Sequence, residues 1–468
     1  MAGSVDGMIS GLDTSKIISQ LMSLERTGQD RLRTRQAATE SSITALRALN
    51  TRFLSIVTAA KALTATTGWN AAAATTSDAT RASATSKPGA LAGDLTFTVT
   101  QLASSEVWKT SGTVGSIDAQ VATAGASFTI TKDGVSRPVS VGDGTLGSVI
   151  TAINAAGAGV TASAVQVAPG SFTLQLSSST SGSTMLSVGA APFTATLGSL
   201  AQLTPGRDAL LQVGVAADGT GGYQVTRTTN TVDDLLKGTT ITLLKQDPGT
   251  PVSVTVAGDS AKVADGVAAM VDAVNAALHE ITRTGSYDAA SKRGGVLHGD
   301  SSVRSLRGQL VNAVTGGSGT SPALAGVSVQ RDGSVAFDRS RFLAALAADP
   351  EGVQARLGAG TPETVVGGVT TPAVPGLAGR LTAVADAASR GQGAAGGTGI
   401  LTAAVANRER SSTSLRTDIS RWDQRLKLRE ERLVAQFARL ETVLGSAQQQ
   451  GQWLAGQIAG LPGYGGST

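Results

Sequence analysis

Three glycines, Gly142, Gly144 and Gly147, stand in the spacing GxGxxG between an expected strand and an expected helix. In that setting backbone N–H groups can cradle the pyrophosphate of a dinucleotide. The same chemistry needs a carboxylate about twenty residues further on to hold the ribose hydroxyls. No Asp or Glu occurs between Asp143 and Asp208, so the glycines read as a turn. The chain has 2 histidines. His279 sits beside Glu280 on an expected helix and reads as a surface residue, and His298 shares a Gly-rich turn with Asp300, one ligand pair without a third. There is no cysteine, which excludes disulfides, thiolate nucleophiles and cysteine metal sites. No GxSxG elbow, Walker loop or HExxH motif is present. The residues therefore assign no catalytic, cofactor-binding or metal site, and the expectation is a protein that is not an enzyme.

The regular pattern lies in the elements around these residues. Near the C-terminus Leu415, Ile419, Trp422, Leu426, Leu433, Phe437, Leu440 and Leu454 recur at three, four or seven residues, continuing to Leu461, with charges of both signs between them. Such a stripe predicts a helix lying against another helix. Near the N-terminus Leu46, Leu49, Phe53, Ile56 and Leu63 repeat at the same spacing, after an Asp13 cap and Ile17, Leu21 and Met22. These two sets are the expected helix-packing and oligomer-contact residues. Running the heptad back from Leu46 places Ser42, Thr39, Arg35, Leu32, Gly28 and Glu25 at core positions. That segment is either an assembly surface or a disordered arm.

Between the termini the period changes. Leu95, Phe97 and Val99 alternate with threonines, and Phe128 and Ile130 lead through Asp133 and Gly134 to Val139 and Val141, a predicted hairpin. Strands on either side of Pro169 and Gly170, at Leu210–Val215 and at Tyr223–Thr228 follow, then a hairpin expected from Thr239–Leu244 through Asp247, Pro248 and Gly249 to Val252–Val256. Helices are expected at 146–153, 259–281, 303–314 and 341–348, with a small hairpin across Asp332 and Gly333. From Gly144 to Gly206 no residue is charged, a neutral, hydroxyl-rich stretch that reads either as an ordinary β module or as one presenting an outward surface.

With 468 residues the chain needs several cores, and its aromatic content of 3% points to thin modules. The expected class is α+β and multidomain: a long antiparallel helical stalk from both termini with nested β-rich head domains inserted between them. The boundaries read as 1–70 for the N-terminal leg, 71–107 for the leading strands of a first β domain, 108–203 for an inserted charge-poor β domain, 204–258 for the rest of the first, 259–357 for a helical domain with a hairpin, 358–399 for linkers and a short helix, and 400–468 for the C-terminal leg. The net charge of +4 concentrates in the legs without interleaved stacking aromatics, which fits a solvated coiled coil better than nucleic acid. Neither a signal sequence nor a membrane-spanning stretch is read, leaving a cytoplasmic protein or one exported without a cleaved signal.

Ser10 to Thr14 with Ile17, Leu21, Met22 and Glu25, then Val99, Gln101, Leu102 and Ala103, resemble the bacterial flagellar filament cap family, or hook-associated protein 2. Thr145, Leu146, Ile153 and Asn154 are similar to its hook-associated Ile-Asn motif, and the resemblance continues through Asp208, Ala209, Thr229, Asn230, Gly238 to Leu243, Asp332, Gly333, Phe337, Asp338, Gln436, Phe437, Leu440 and Glu441. It covers nearly the whole chain in order, departing at Thr27–Gly28 and at Gln448–Gln450. The resemblance implies unfolded export through the flagellar type III channel and secretion to the distal tip of the filament. It also implies a ring of about five or six copies that retains flagellin and promotes its polymerisation. Flagellin, hook–filament junction proteins and an export chaperone are the implied partners, with no cofactor, no nucleic acid and no membrane. An adhesin role, with the β domains binding host mucin or glycans, is the alternative; a coiled-coil nucleic-acid binder stands behind it.

Overall fold

The computed structural model describes residues 13–183, 186–189, 193–216, 218, 220–289, 292–316, 321–366 and 369–459. Ser10, Gly11 and Leu12 of the opening motif and Leu461 of the C-terminal stripe lie outside them. Among the described residues eight α-helices occur: α1 (Thr14–Thr64), α2 (Leu146–Ala155), α3 (Ser260–Gly285), α4 (Ser301–Thr315), α5 (Arg339–Ala348), α6 (Pro350–Leu357), α7 (Leu377–Ser389) and α8 (Ile400–Ala459). The chain divides into two compact units, Met1–Thr64 with Gly266–Thr468, and Ala65–Asp265.

In the first unit the long helices α1 and α8 run antiparallel, with Arg47 paired to Glu409, Glu40 to Arg416 and Arg33 to Asp423 along their length. Asp13 caps α1, its Oδ1 accepting from the Lys16 N–H at 2.9 Å. Asp300, Asp338 and Asp349 cap α4, α5 and α6 in the same way. Thr27 and Gly28 lie within α1, and Gln448–Gln450 within α8, so neither departure from the family pattern ends a helix. The middle of α1 is helical throughout, which removes the disordered-arm reading.

Leu46, Leu49, Phe53, Ile56, Ala60 and Leu63 are almost fully buried. Burial of each large member contributes about 1.5–3 kcal/mol, making this the firmest part of α1. Two helices cover the stripe from the side of the C-terminal half, since α1 packs on α7 as well as on α8. At its upper end Leu63 reaches α3, where a Cβ on Gly266 would meet Leu63 at 3.4 Å. The sequence-based expectation of α8 as partner is thus corrected in part. With Arg47 opposite Glu409 and α8 starting at Ile400, α8 is too short to line the last turns of α1.

The second unit contains β1 (Ala72–Thr76), β2 (Ala82–Ser86), β3 (Gly93–Gln101), β4 (Ser105–Thr110), β5 (Ser127–Lys132), β6 (Val135–Ser140), β7 (Val160–Ala168), β8 (Ser171–Ser181), β9 (Leu186–Val188), β10 (Leu200–Thr204), β11 (Ala209–Val213), β12 (Tyr223–Arg227), β13 (Thr231–Leu236), β14 (Thr239–Leu243) and β15 (Asp247–Gly258). They form a five-stranded sheet ordered β1-β15-β3-β11-β12 and a three-stranded sheet β13-β14-β2 around one core that includes Phe97, Leu211, Ile241 and Val254. Between β3 and β11 the chain makes a second module. Sheets β10-β4-β8-β7 and β6-β5-β9 with α2 enclose Ile130, Leu146, Ile153, Leu174 and Leu176. The Asp133–Gly134 hairpin forms with positive φ at both residues, 50° and 81°.

The hairpin expected across Asp247–Gly249 does not form. β14 pairs with β13 and β2, whereas β15 pairs with β3 and β1. The alternating pattern in both strands is real, but β14 takes the strand before it and the distant β2 as neighbours, and β15 takes β3 and β1, so the two never pair with each other.

Candidate assembly interface

Along the stalk the packing changes character. Below Leu46 polar side chains join the buried set: Ser42, next to the buried Ile43, and Gln29 on α1, and Ser412 on α8. Gln29 donates through Nε2 to Asp423 Oδ1 at 2.5 Å. Glu40 accepts from Arg416 Nη2 at 2.7 Å and from Gln36 Nε2 at 3.1 Å. The Arg416 guanidinium, and after it Gln36, hold the Glu40 carboxyl below the usual glutamate range. Lower still, Met22, Leu426 and Leu433 form a small buried cluster with Ile18 and Trp422 packed on it.

Gly28 explains how a Trp fits between these layers. Its missing side chain lets the Trp422 indole lie on the α1 backbone, since a Cβ at residue 28 would stand 3.0 Å from Cζ2. The Arg425 guanidinium covers the same ring, 4.1 Å from its centroid. A groove lined by Leu32, Asp418, Arg421, Trp422, Gln424, Arg425 and Leu428 opens beside it.

The register read from the sequence drifts here. Ser42 is buried, but Arg35 and Glu25 are exposed and Gln29 and Met22 take the core positions. A straight helix of 3.6 residues per turn rotates roughly 20° per heptad against a 3.5-residue repeat, enough over three heptads to hand the seam to a neighbouring residue. Sequence reading missed Gln29 and Asp423; a glycine spaced to face a tryptophan on the other leg was the available signal.

On α8, Leu426 and Leu433 are buried, and Leu415, Ile419, Trp422 and Phe437 are half-buried. The stripe then leaves the partner helix behind. Leu440 is 46% exposed and Leu454 54%, and Val443, Trp453 and Ile458 are exposed with them. Thr14, the first residue of α1, is already reached near this level, so within the described residues the last turns of α8 run on without the facing helix.

The GxGxxG glycines are accounted for by the chain itself. At the start of α2 the N–H groups of Leu146 and Gly147 donate to Ala119 and Ile117 carbonyls at 3.0 and 2.9 Å, and those of Ser148 and Val149 to Thr145 at 3.3 and 3.0 Å. A phosphate would find no free donor there. Gly144 is required because a Cβ would lie 2.1 Å from the Ala122 carbonyl oxygen. His298 Nδ1 lies 3.1 Å from the Gly285 carbonyl, and His279 is exposed. Among the described residues no three His, Cys, Asp or Glu side chains gather as a metal site, and no helix is long and apolar enough to cross a membrane.

The family model of the flagellar hook-associated protein 2 C-terminus matches residues 208–449, and that of its N-terminus matches 10–106. The chain belongs to the flagellar hook-associated protein 2 family. Between those two matches the flagellin hook IN motif matches 127–180. Flagellar hook-associated protein 2 of Escherichia coli K12 is 26% identical over 480 residues, covering 97% of this chain and 97% of its own. The A-type flagellar hook-associated protein 2 of Pseudomonas aeruginosa is 26% identical over 508 residues, 98% of each chain. In fold, the chain resembles the crystal structure of the flagellar cap protein FliD from Escherichia coli, with a TM-score of 0.55 at 24% identity over 78% of this chain and 99% of that one.

Membership in the hook-associated protein 2 family gives the IN motif a physical meaning. Thr145 caps α2, and at its other end Asn154 accepts from the Ala162 N–H at 2.8 Å and donates to the Ala162 carbonyl at 3.1 Å. The asparagine thereby stands in for a neighbouring strand on the edge of β7.

Proposed function

We propose that this chain caps the flagellar filament: several copies assemble at the distal tip through their terminal helices, retain flagellin and promote its polymerisation. The observation that carries this reading is the last part of α8, which keeps Leu440, Trp453 and Leu454 exposed and, past the level of Thr14, runs on without a facing helix among the described residues. Each large apolar side chain left wet forgoes about 1.5–3 kcal/mol, which a helix from another chain can recover. The groove beside Trp422 offers a second such surface further up the stalk. Membership in a flagellar family and the likeness to a flagellar cap structure support the same reading.

In this reading residues 1–70 and 400–468 are the legs that reach the growing end, and the β-rich residues 71–258 make up the head. Leu415, Ile419, Phe437, Leu440 and Leu454 belong to the contact with other copies or with flagellin. Hook–filament junction proteins and an export chaperone complete the set of partners. The action is steric and involves no bond chemistry. The test is to delete the gene in the source cells and restore it as wild type or as Leu440→Asp/Leu454→Asp. Flagellin released as monomer into the medium, with short filaments, in both the deletion and the variant supports capping through this surface. Normal filaments in the deletion would refute it.

A further inference from the structure

The inserted β module leaves the first β module after Gln101 and returns at Ala209, so two short linkers join them covalently. Two linkers of this kind allow a hinge, and relative motion is the default for modules so connected. Here the linkers are bonded to each other: Ser104 and Arg207 exchange both backbone bonds, at 2.9 and 3.0 Å. A third segment, the end of β8, which is distant from both in sequence, then crosses the same point. The Gly182 N–H donates to the Ser104 carbonyl at 3.2 Å.

Beyond the linkers, three more bonds pass from one module to the other. Asp208, just before β11, accepts from the Ser183 N–H at 2.7 Å and from its hydroxyl at 2.5 Å. The Ser181 hydroxyl donates to the Thr228 carbonyl at 2.9 Å. Close backbone approach is built in. Gly182 has φ 109°, and a Cβ there would stand 3.0 Å from Asp208 Oδ1 and from Thr228, while one on Gly206 would stand 2.3 Å from the Gly182 carbonyl oxygen. Asp208 is itself fixed from behind, its carbonyl accepting from Gln101 Nε2 at 2.7 Å.

We propose that the Asp208–Ser183 contact is a latch that turns the junction from a hinge into a rigid elbow, so that the two β modules move as one body. Three crossing segments and an off-axis attachment fix all three rotations, where two linkers alone leave one free. The carboxylate supplies two charge-assisted bonds in one place, which a neutral side chain could not match. This property concerns the head alone and does not depend on the capping reading.

The experiment uses the full chain, whose lack of cysteine makes labelling clean. Spin labels on Gln166→Cys in β7 and Gln224→Cys in β12, both exposed, report the distance between modules by pulsed electron resonance. The expected wild-type result is one narrow distance peak, widened at least about twofold or split in Asp208→Ala/Ser183→Ala, as for modules released to the default motion. Should the double variant lose its cooperative melt, Asp208→Ala alone, which removes both bonds of the latch and leaves Ser183 in place, decides by the same criterion. A wild-type distribution already broad, or a variant peak as narrow as the wild type, overturns the proposal.

Discussion

Asn230 grips Ala103 by both backbone groups, its Oδ1 accepting from the N–H at 2.7 Å and its Nδ2 donating to the carbonyl at 2.9 Å. Asn154 does the same to Ala162, and Asn275 to Val335 at 2.8 and 2.7 Å. An asparagine amide presents one acceptor and a donor at the spacing of a strand's own edge, so each satisfies a backbone pair that no strand reaches.

Replacing Asn154 or Asn230 with Ala is expected to cost about 1–3 kcal/mol of stability each, because two partly buried backbone groups lose their partners. Asn275→Ala should cost as much in the other compact unit. Urea unfolding followed separately through the two units checks this: the loss should fall in the Ala65–Asp265 unit for the first two variants and in the stalk unit for the third.

Gly28 and Trp422 should be energetically coupled. Gly28→Leu would drive a side chain into the indole, 3.0 Å from where its Cβ must sit, and is expected to lower the helical melting temperature. The same substitution in a Trp422→Ala background should cost less. A double-mutant cycle monitored by circular dichroism at the helical band should show about 0.5–3 kcal/mol of coupling, and an additive cycle would contradict the contact.

The two halves of the α8 stripe should separate folding from assembly. Leu426→Asp/Leu433→Asp places charge in a buried cluster and should open the lower stalk of the isolated chain. Leu440→Asp/Leu454→Asp changes exposed residues, with an expected effect on the monomer within about 0.5 kcal/mol. Light scattering then tests the interface: only the second variant is expected to keep its melting curve while losing the oligomer.

Acid and salt should both loosen the middle of the stalk before its upper end. Glu40 has its carboxyl lowered by Arg416, so its contribution is complete above the ordinary glutamate pKa of about 4.3 and disappears as pH falls through the lower folded-state value. Neighbouring pairs Arg47–Glu409, Arg33–Asp423 and Arg429–Glu25 are exposed and open to screening. Hydrogen exchange at residues 29–42 and 412–423 should quicken in acid or in molar salt while residues 46–63 stay protected. Equal exchange in both segments would contradict a polar seam.

Much of the architecture is legible because it rests on local chemistry. The Asp13 cap, the Asp133–Gly134 turn and the helical stripes each draw their structure from residues a few positions apart. The strand run at 239–256 shows where this fails. Its two alternating segments look like a hairpin from their own residues, yet Ile241 and Val254 sit in different sheets, β14 between the preceding β13 and the distant β2, and β15 between β3 and β1, both more than a hundred residues away. Local pattern specifies which face is apolar and says nothing of which distant strand will cover it.

The sequence by itself determined that the termini are amphipathic helices, that the centre is β-rich and that no thiol chemistry is on offer, since these follow from residue type and period. Only the tertiary structure decided where the α1 stripe meets α7 as well as α8, where Gln29 replaces the expected core residue, and where Leu440 and Leu454 come free. A heptad reads the same whether its stripe is buried or wet. The outcome depends on the length and register of a partner hundreds of residues away, and those are fixed by the summed packing of the whole unit.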